Sequence, residues 1–211
     1  MSSENFDLEC RACPRLSDFL DEVKLEHPDY FCRPVPAFGD PEAQLLIVGL
    51  APGKHGANAT GRPFTGDYAG VLLYQTLYDY GFSTAPESNS ASDGLELVNC
   101  RISNAVKCLP PENKPTTAEI NTCNSFLSAE LNDMPEGGIL VALGSIAHNA
   151  VLKAQGLKLS ACKFGHGNEH SLPSGLTLID SYHCSRYNTQ TRRLTEDMFR
   201  AIFARARACL D

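Results

Sequence analysis

Four short apolar runs, separated by stretches of helical character, constrain this chain more than any other feature. They are Gln44-Leu-Leu-Ile-Val-Gly-Leu50, a second strand from Leu97 that runs into a loop by Cys108, Gly138-Ile-Leu-Val-Ala-Leu-Gly144, and Leu176-Thr-Leu-Ile-Asp-Ser-Tyr182. The first and third are apolar almost without interruption, as a strand buried on both faces of a parallel sheet requires. Residues 14–27 carry Leu16, Phe19, Leu20, Val23 and Leu25 near helical spacing, with Pro14 suited to a first turn. Further helices are expected from Val71 to Tyr80, ended by Gly81, and over 118–132, capped by Thr116 or Thr117 with Glu119 in the first turn. Another should start at a Ser145 cap and stop near Gly156. The last should span Thr195 to Cys209, with Met198, Ile202, Phe203 and Ala206 on one face. Strands alternating with helices imply an α/β fold, a mostly parallel sheet covered on both sides.

The length of 211 residues suits one domain, 1–211, with neither an internal repeat nor a linker. No apolar run is long enough to span a bilayer, and Met1-Ser-Ser-Glu-Asn does not open like a secretory signal, so a cytoplasmic protein without a membrane partner is expected. Nine cysteines cannot all pair, and a reducing compartment disfavours disulfides, which leaves metal ligation for some and burial for the rest. The net charge of −7 argues weakly against nucleic acid. Yet Lys54, Arg62, Lys107, Lys114, Arg186, Arg192 and Arg193 flank the Gly- and Asn-rich segments, which permits a local basic face.

Two cysteine pairs stand apart, Cys10-Arg-Ala-Cys13 and Cys108 with Cys123. Four soft ligands can hold one ion or cluster and would pin the N-terminus to the middle of the chain. Spacing alone leaves zinc at least as good as iron–sulfur, and a redox dithiol or buried thiols also produce Cys-x-x-Cys. Cys32, Cys100, Cys162, Cys184 and Cys209 show no pairing and read as core or surface thiols. After the first strand, Gly49-Leu-Ala-Pro-Gly53 is neither a Walker A loop nor a dinucleotide fingerprint; its glycines allow close backbone approach. Asp67 reads as a helix N-cap, a water-activating carboxylate, or both. His183 opens a run rich in Ser, Asn, Thr, Gln and Arg, residue types that bind phosphate and sugar, or else an elaborate capping turn before the last helix.

Taken together, Cys10-x-x-Cys13, Gly49-Leu-Ala-Pro-Gly53, Thr60-Gly-Arg-Pro-Phe-Thr-Gly-Asp67, Asn104-Ala-Val-Lys-Cys108-Leu-Pro-Pro-Glu-Asn113-Lys-Pro115, Cys123 and His183-x-Ser185-x-x-Asn188-x-x-Thr191 resemble the uracil-DNA glycosylase superfamily. The resemblance is closest to its fifth, B-type, iron–sulfur family and covers nearly the whole chain. It implies a three-layer α/β/α domain on a central parallel four-stranded sheet, with the cleft at the strand C-termini. It also implies a structural [4Fe–4S] cluster on Cys10, Cys13, Cys108 and Cys123 in an N-terminal cluster-binding segment.

The implied activity is monofunctional hydrolysis of the N-glycosidic bond of a deaminated base, uracil and in this family also hypoxanthine or xanthine, flipped out of DNA. By position, Phe64 stacks on the base, His183 stabilises the departing anion, Asp67 steadies the oxocarbenium-like sugar or orients water, and Asn113 adds a polar group. Gly49, Ala51, Gly53, Ser185 and Asn188 complete the substrate contacts, and the loop 183–193 bears on the DNA backbone. Where the related fourth family has Glu in its first motif, this chain has Leu50-Ala51, so Asp67 would have to compensate; Asn104 stands where that family reads uracil. A monomer is expected. The alternative is an iron–sulfur nucleic-acid-binding module without chemistry.

Overall fold

A computed structural model describes residues 6–211. Seven helices occur among them: α1 (Pro14–Glu26), α2 (Ala57–Thr60), α3 (Tyr68–Asp79), α4 (Thr117–Asn132), α5 (Ser145–Ala154), α6 (Arg186–Gln190) and α7 (Glu196–Leu210). Six strands form one sheet: β1 (Phe38–Gly39), β2 (Leu45–Gly49), β3 (Cys100–Asn104), β4 (Ile139–Leu143), β5 (Glu169–Ser171) and β6 (Thr177–Ser181), in the order β1-β3-β2-β4-β6-β5. The four inner strands are parallel and correspond to the four apolar runs. The expected four-stranded sheet is thus widened by β1 and β5, which pair antiparallel at the two edges. Neither carries a readable strand pattern: β1 has two residues and β5 is the polar Glu169-His170-Ser171.

Side chains alternate across the inner strands and build a core on each face. Leu45, Ile47, Ile102, Val141 and Ile179 pack against Leu73 and Leu77 of α3 and Phe199 and Phe203 of α7. Leu46, Val48, Leu140, Ala142 and Leu178 pack against Leu127 of α4 and Ala147 and Val151 of α5. On α1, Leu20 and Val23 join Cys32 and Leu109 in a smaller cluster, and Arg15 pairs with Glu119 at 2.7 Å. Among the described residues no helix is long and apolar enough to cross a membrane.

The caps fix where helices meet the cleft. Asp67 accepts from the Gly70 amide, Thr195 accepts from Met198, and Thr116 with Glu119 forms a reciprocal capping box at α4. The Ser145 cap expected for α5 is not found. Gly144 takes the position with φ +99°, a region glycine tolerates, and Ser145 becomes the first helical residue.

Candidate active site

Parallel register brings the strand ends Gly49, Asn104, Leu143 and Ser181 to one edge of the sheet. From β2 the chain crosses to β3 on one side and then to β4 on the other, so β2 and β4 border a crevice of the kind in which α/β sheets bind ligands. A cleft of about 420 Å³ lies there, lined by the β2 loop, the Phe64–Asp67 turn, Asn104, the β4–α5 loop and the start of the segment after β6.

Asp67 sits on the wall of this cleft. Its Oδ1 caps α3 by accepting from the Gly70 amide at 2.8 Å. Its Oδ2 points toward Gly53 and Gly56; a Cβ on Gly56 would stand 2.7 Å from that oxygen, whereas one on Gly53 would keep 3.9 Å. Oδ1 thus holds the helix, and Oδ2 stands beside the glycine loop. Burial raises the carboxyl above its ordinary value, while the Gly70 and Ala69 amides pull the other way.

Opposite it, His183 lies two residues beyond β6. Its edge reaches the cleft, but Nδ1 is fully buried and has no hydrogen-bond partner. Burial pushes its pKa down to about 4, so the imidazole is neutral at neutral pH. The Phe64 ring stacks on it, centroids 5.9 Å apart and planes 29° from parallel. Phe64 holds φ +54°, an uncommon region for a bulky residue. Around it, the Tyr74 hydroxyl donates to the Pro63 carbonyl at 2.9 Å, and buried Arg62 reaches Asp93, Ser88 and the Ala91 carbonyl. The Phe64 carbonyl oxygen lies where a Cβ on Gly70 would come within 1.8 Å.

Asn104 closes the floor, 3% exposed, with Oδ1 buried and unpaired. A Cβ on Gly49 would strike that oxygen at 2.3 Å and Phe64 at 2.7 Å, so Gly49 serves from behind, without lining the cleft. Ala51, Gly53, Asn113 and Ser185 do line it. Asn113 is exposed in a 3₁₀ turn (Pro111–Asn113) with φ +56°. Ser185 caps α6, and Asn188 does not line the cleft: its amide donates to the His183 carbonyl at 2.8 Å, steadying that turn. Sequence reasoning missed Gly144, Ser145 and Ile146 as cleft residues. Their only sequence signal is their place directly after a buried strand.

Of the four cysteines proposed as ligands, Cys108 follows β3, Cys123 lies on α4, and Cys10 and Cys13 precede α1. Burial, then Cys123, Cys10 and Cys13, push the Cys108 thiol up to about 12. Cys123 is pushed up to about 11, chiefly by burial, and its sulfur accepts the Lys107 amide at 3.3 Å. Both N-terminal thiols contribute to the rise at each of the two. Among the described residues no three of these sulfurs come within 4.8 Å of one another. Ligands on a single zinc ion, with Zn–S near 2.3 Å, would stand about 3.8 Å apart. The four sulfurs as they stand here are not set as the ligands of a single zinc ion.

A parallel sheet with its crevice between β2 and β4, holding a carboxylate, a neutral imidazole, a stacked aromatic and a buried amide, places the chain in a class defined by its family model. The model of the uracil DNA glycosylase superfamily matches residues 36–207, and the chain belongs to that superfamily. Within it, the chain is 48% identical over 203 residues to a type-5 uracil-DNA glycosylase of Thermus thermophilus, covering 94% of this chain and 92% of that one. It is 41% identical to the type-5 uracil-DNA glycosylase of Pyrobaculum aerophilum, covering 94% and 88%. A type-4 uracil-DNA glycosylase of Sulfurisphaera tokodaii is 30% identical over 175 residues, covering 80% and 72%.

Proposed function

We propose that this DNA glycosylase excises uracil from DNA by monofunctional hydrolysis, with Asp67 and His183 as its catalytic pair, and that it accepts other deaminated bases, hypoxanthine and xanthine, in the same cleft. One observation carries the reading: Asp67, Phe64, Asn104 and His183 line a single cleft in a member of this superfamily. A duplex base cannot reach such a recess while stacked, so the nucleotide is flipped into it. Phe64 offers its face to the base, and the unpaired Oδ1 of Asn104 offers an acceptor to the base edge. Bond breaking leaves negative charge on the base and positive charge on the sugar. A neutral His183 donates a hydrogen bond to the departing anion without surrendering a full proton. The free Oδ2 of Asp67 faces the sugar and orients the water that adds to C1′; Asn113 supplies a further polar group at the rim. The product is an intact abasic strand.

Cys10, Cys13, Cys108 and Cys123 would hold a [4Fe–4S] cluster, which supplies a structural tie and takes no part in hydrolysis. The mutual influence of the four thiols and the burial of Cys123 support this reading. The whole of 1–211 then acts as one domain, a monomer of the cytoplasm whose partner is damaged DNA, its N-terminal segment bound through the cysteines.

Oligonucleotides carrying uracil, hypoxanthine or xanthine test the reading directly. Free base should appear from uracil, and strand cutting should need alkali or heat. Borohydride trapping of a covalent complex would show an amine nucleophile and overturn monofunctional hydrolysis. Absence of base release from all three substrates would overturn the glycosylase reading itself.

A further inference from the structure

A second cluster of ligand-type side chains lies at the β5–β6 edge of the sheet, and none of its residues lines the cleft. Asp180 of β6 is 0% exposed, and two histidines from other elements meet its carboxylate. His148 of α5, also 0% exposed, approaches with Nδ1 at 2.6 Å from Oδ1. His170 of β5 approaches with Nε2 at 3.2 Å from Oδ2, which also accepts the Gly165 amide at 3.1 Å. The three ligand atoms all lie within 4.8 Å of one another.

The geometry at His148 demands a positive species. Its Nε2 faces the Cys162 carbonyl oxygen at 3.1 Å, an acceptor, so Nε2 carries a hydrogen. In the neutral ring Nδ1 is then a lone pair, aimed at a carboxylate lone pair 2.6 Å away. Two acceptors do not face each other at that distance unless a proton or a metal ion lies at the contact. A backbone carbonyl on the far nitrogen is also the arrangement that orients a metal-bound histidine. Two imidazoles and one carboxylate are a zinc donor set, with a fourth position left for water. At bond lengths of about 2.0–2.1 Å, tetrahedral ligand atoms stand about 3.3–3.4 Å apart, so opening the His148–Asp180 contact by about 0.7 Å seats the ion. His170, with its side chain 15% exposed, gives the ion a route from solvent.

We propose that His148, His170 and Asp180 form a zinc site that fastens α5 and the edge strand β5 to β6. The site binds the segment 162–165 through the Cys162 carbonyl and the Gly165 amide. It stands three residues before His183, so the ion would stiffen the strand that delivers that imidazole. It shares no donor with Cys10, Cys13, Cys108 and Cys123.

The test is zinc added to the as-isolated protein, followed by desalting, elemental analysis and zinc-edge X-ray absorption. The expected result is about one zinc per chain with nitrogen and oxygen neighbours at about 2.0–2.1 Å. His170→Ala, on a partly exposed edge strand, should lose that zinc and the accompanying rise in melting temperature. Asp180→Asn, which keeps the shape, should lose it too. No retained zinc in the parent protein overturns the proposal, as does a sulfur shell near 2.3 Å, which would put the ion on cysteines. Equal zinc in the parent and the folded His170→Ala variant overturns it as well. The absorption spectrum of the parent decides the matter even if both variants fail to fold.

Discussion

Asp67 and His183 are held by opposite means, and each leaves a separable trace. Asp67 spends one oxygen on a helix cap, so Asp67→Asn keeps the Oδ1 acceptor and removes the charge. The variant should melt near the parent temperature yet release uracil far more slowly in single turnover. His183→Ala should lower the same rate about a hundredfold, the usual effect of losing one preorganised donor, with substrate affinity changed much less. The pH profile separates them further. Because burial raises the Asp67 carboxyl, its ionised form, and the rate with it, should be lost at a higher pH on acidification than for an exposed aspartate; Asp67→Asn should lack that limb. His183 titrates at about 4 in the folded chain against 6.5 when unfolded. Between these values the unfolded chain binds a proton there and the folded one does not, so stability should fall as pH drops from 6.5 to 4. Denaturant melts across that window should show a shallower slope for His183→Ala. That Asp67 and His183 line one cleft was legible because both stand at the ends of recognisable segments. The division of labour between the two Asp67 oxygens was not, since it depends on how Gly53 and Gly56 fold back over the side chain.

At the scale of elements, the strands and long helices were readable because each carries its own periodicity or its own cap. The Thr116–Glu119 box sits within four residues and needs no tertiary information. Thr116→Ala should cost about 1 kcal/mol, read as a lower denaturant midpoint with an unchanged slope. The edge strands and the α5 start were missed for the converse reason. β5 is a strand only because β6 offers it a free edge, and α5 is capped by backbone geometry at Gly144. Gly70 shows the same dependence on context: inside a helix it reads as a weak point, yet its missing side chain is what lets α3 pass the Phe64 carbonyl. Gly70→Ala should destabilise by at least about 1–3 kcal/mol, as overpacking does, and should displace Phe64. Base release should therefore fall further than the melting temperature alone explains.

On the scale of the whole molecule, α1 is joined to the rest of the fold by Arg15 on Glu119 of α4 and by the small core of Leu20, Val23, Cys32 and Leu109, and the proposed cluster would add a third tie. Anaerobic analysis should find about four iron and four acid-labile sulfide per chain. Cys108→Ser should reduce the yield of folded protein more than the activity of what does fold. A cluster held by all four cysteines would set an order of events during synthesis. Cys10 and Cys13 leave the ribosome roughly a hundred residues ahead of Cys108 and Cys123; at about 5–20 residues per second that is roughly 5–20 s in which half of the thiols wait for the other half. To build such a cluster the nascent chain would have to keep its first two sulfurs reduced and uncommitted through that interval. Oxygen or a competing metal encountered then would do its damage before the catalytic cleft exists.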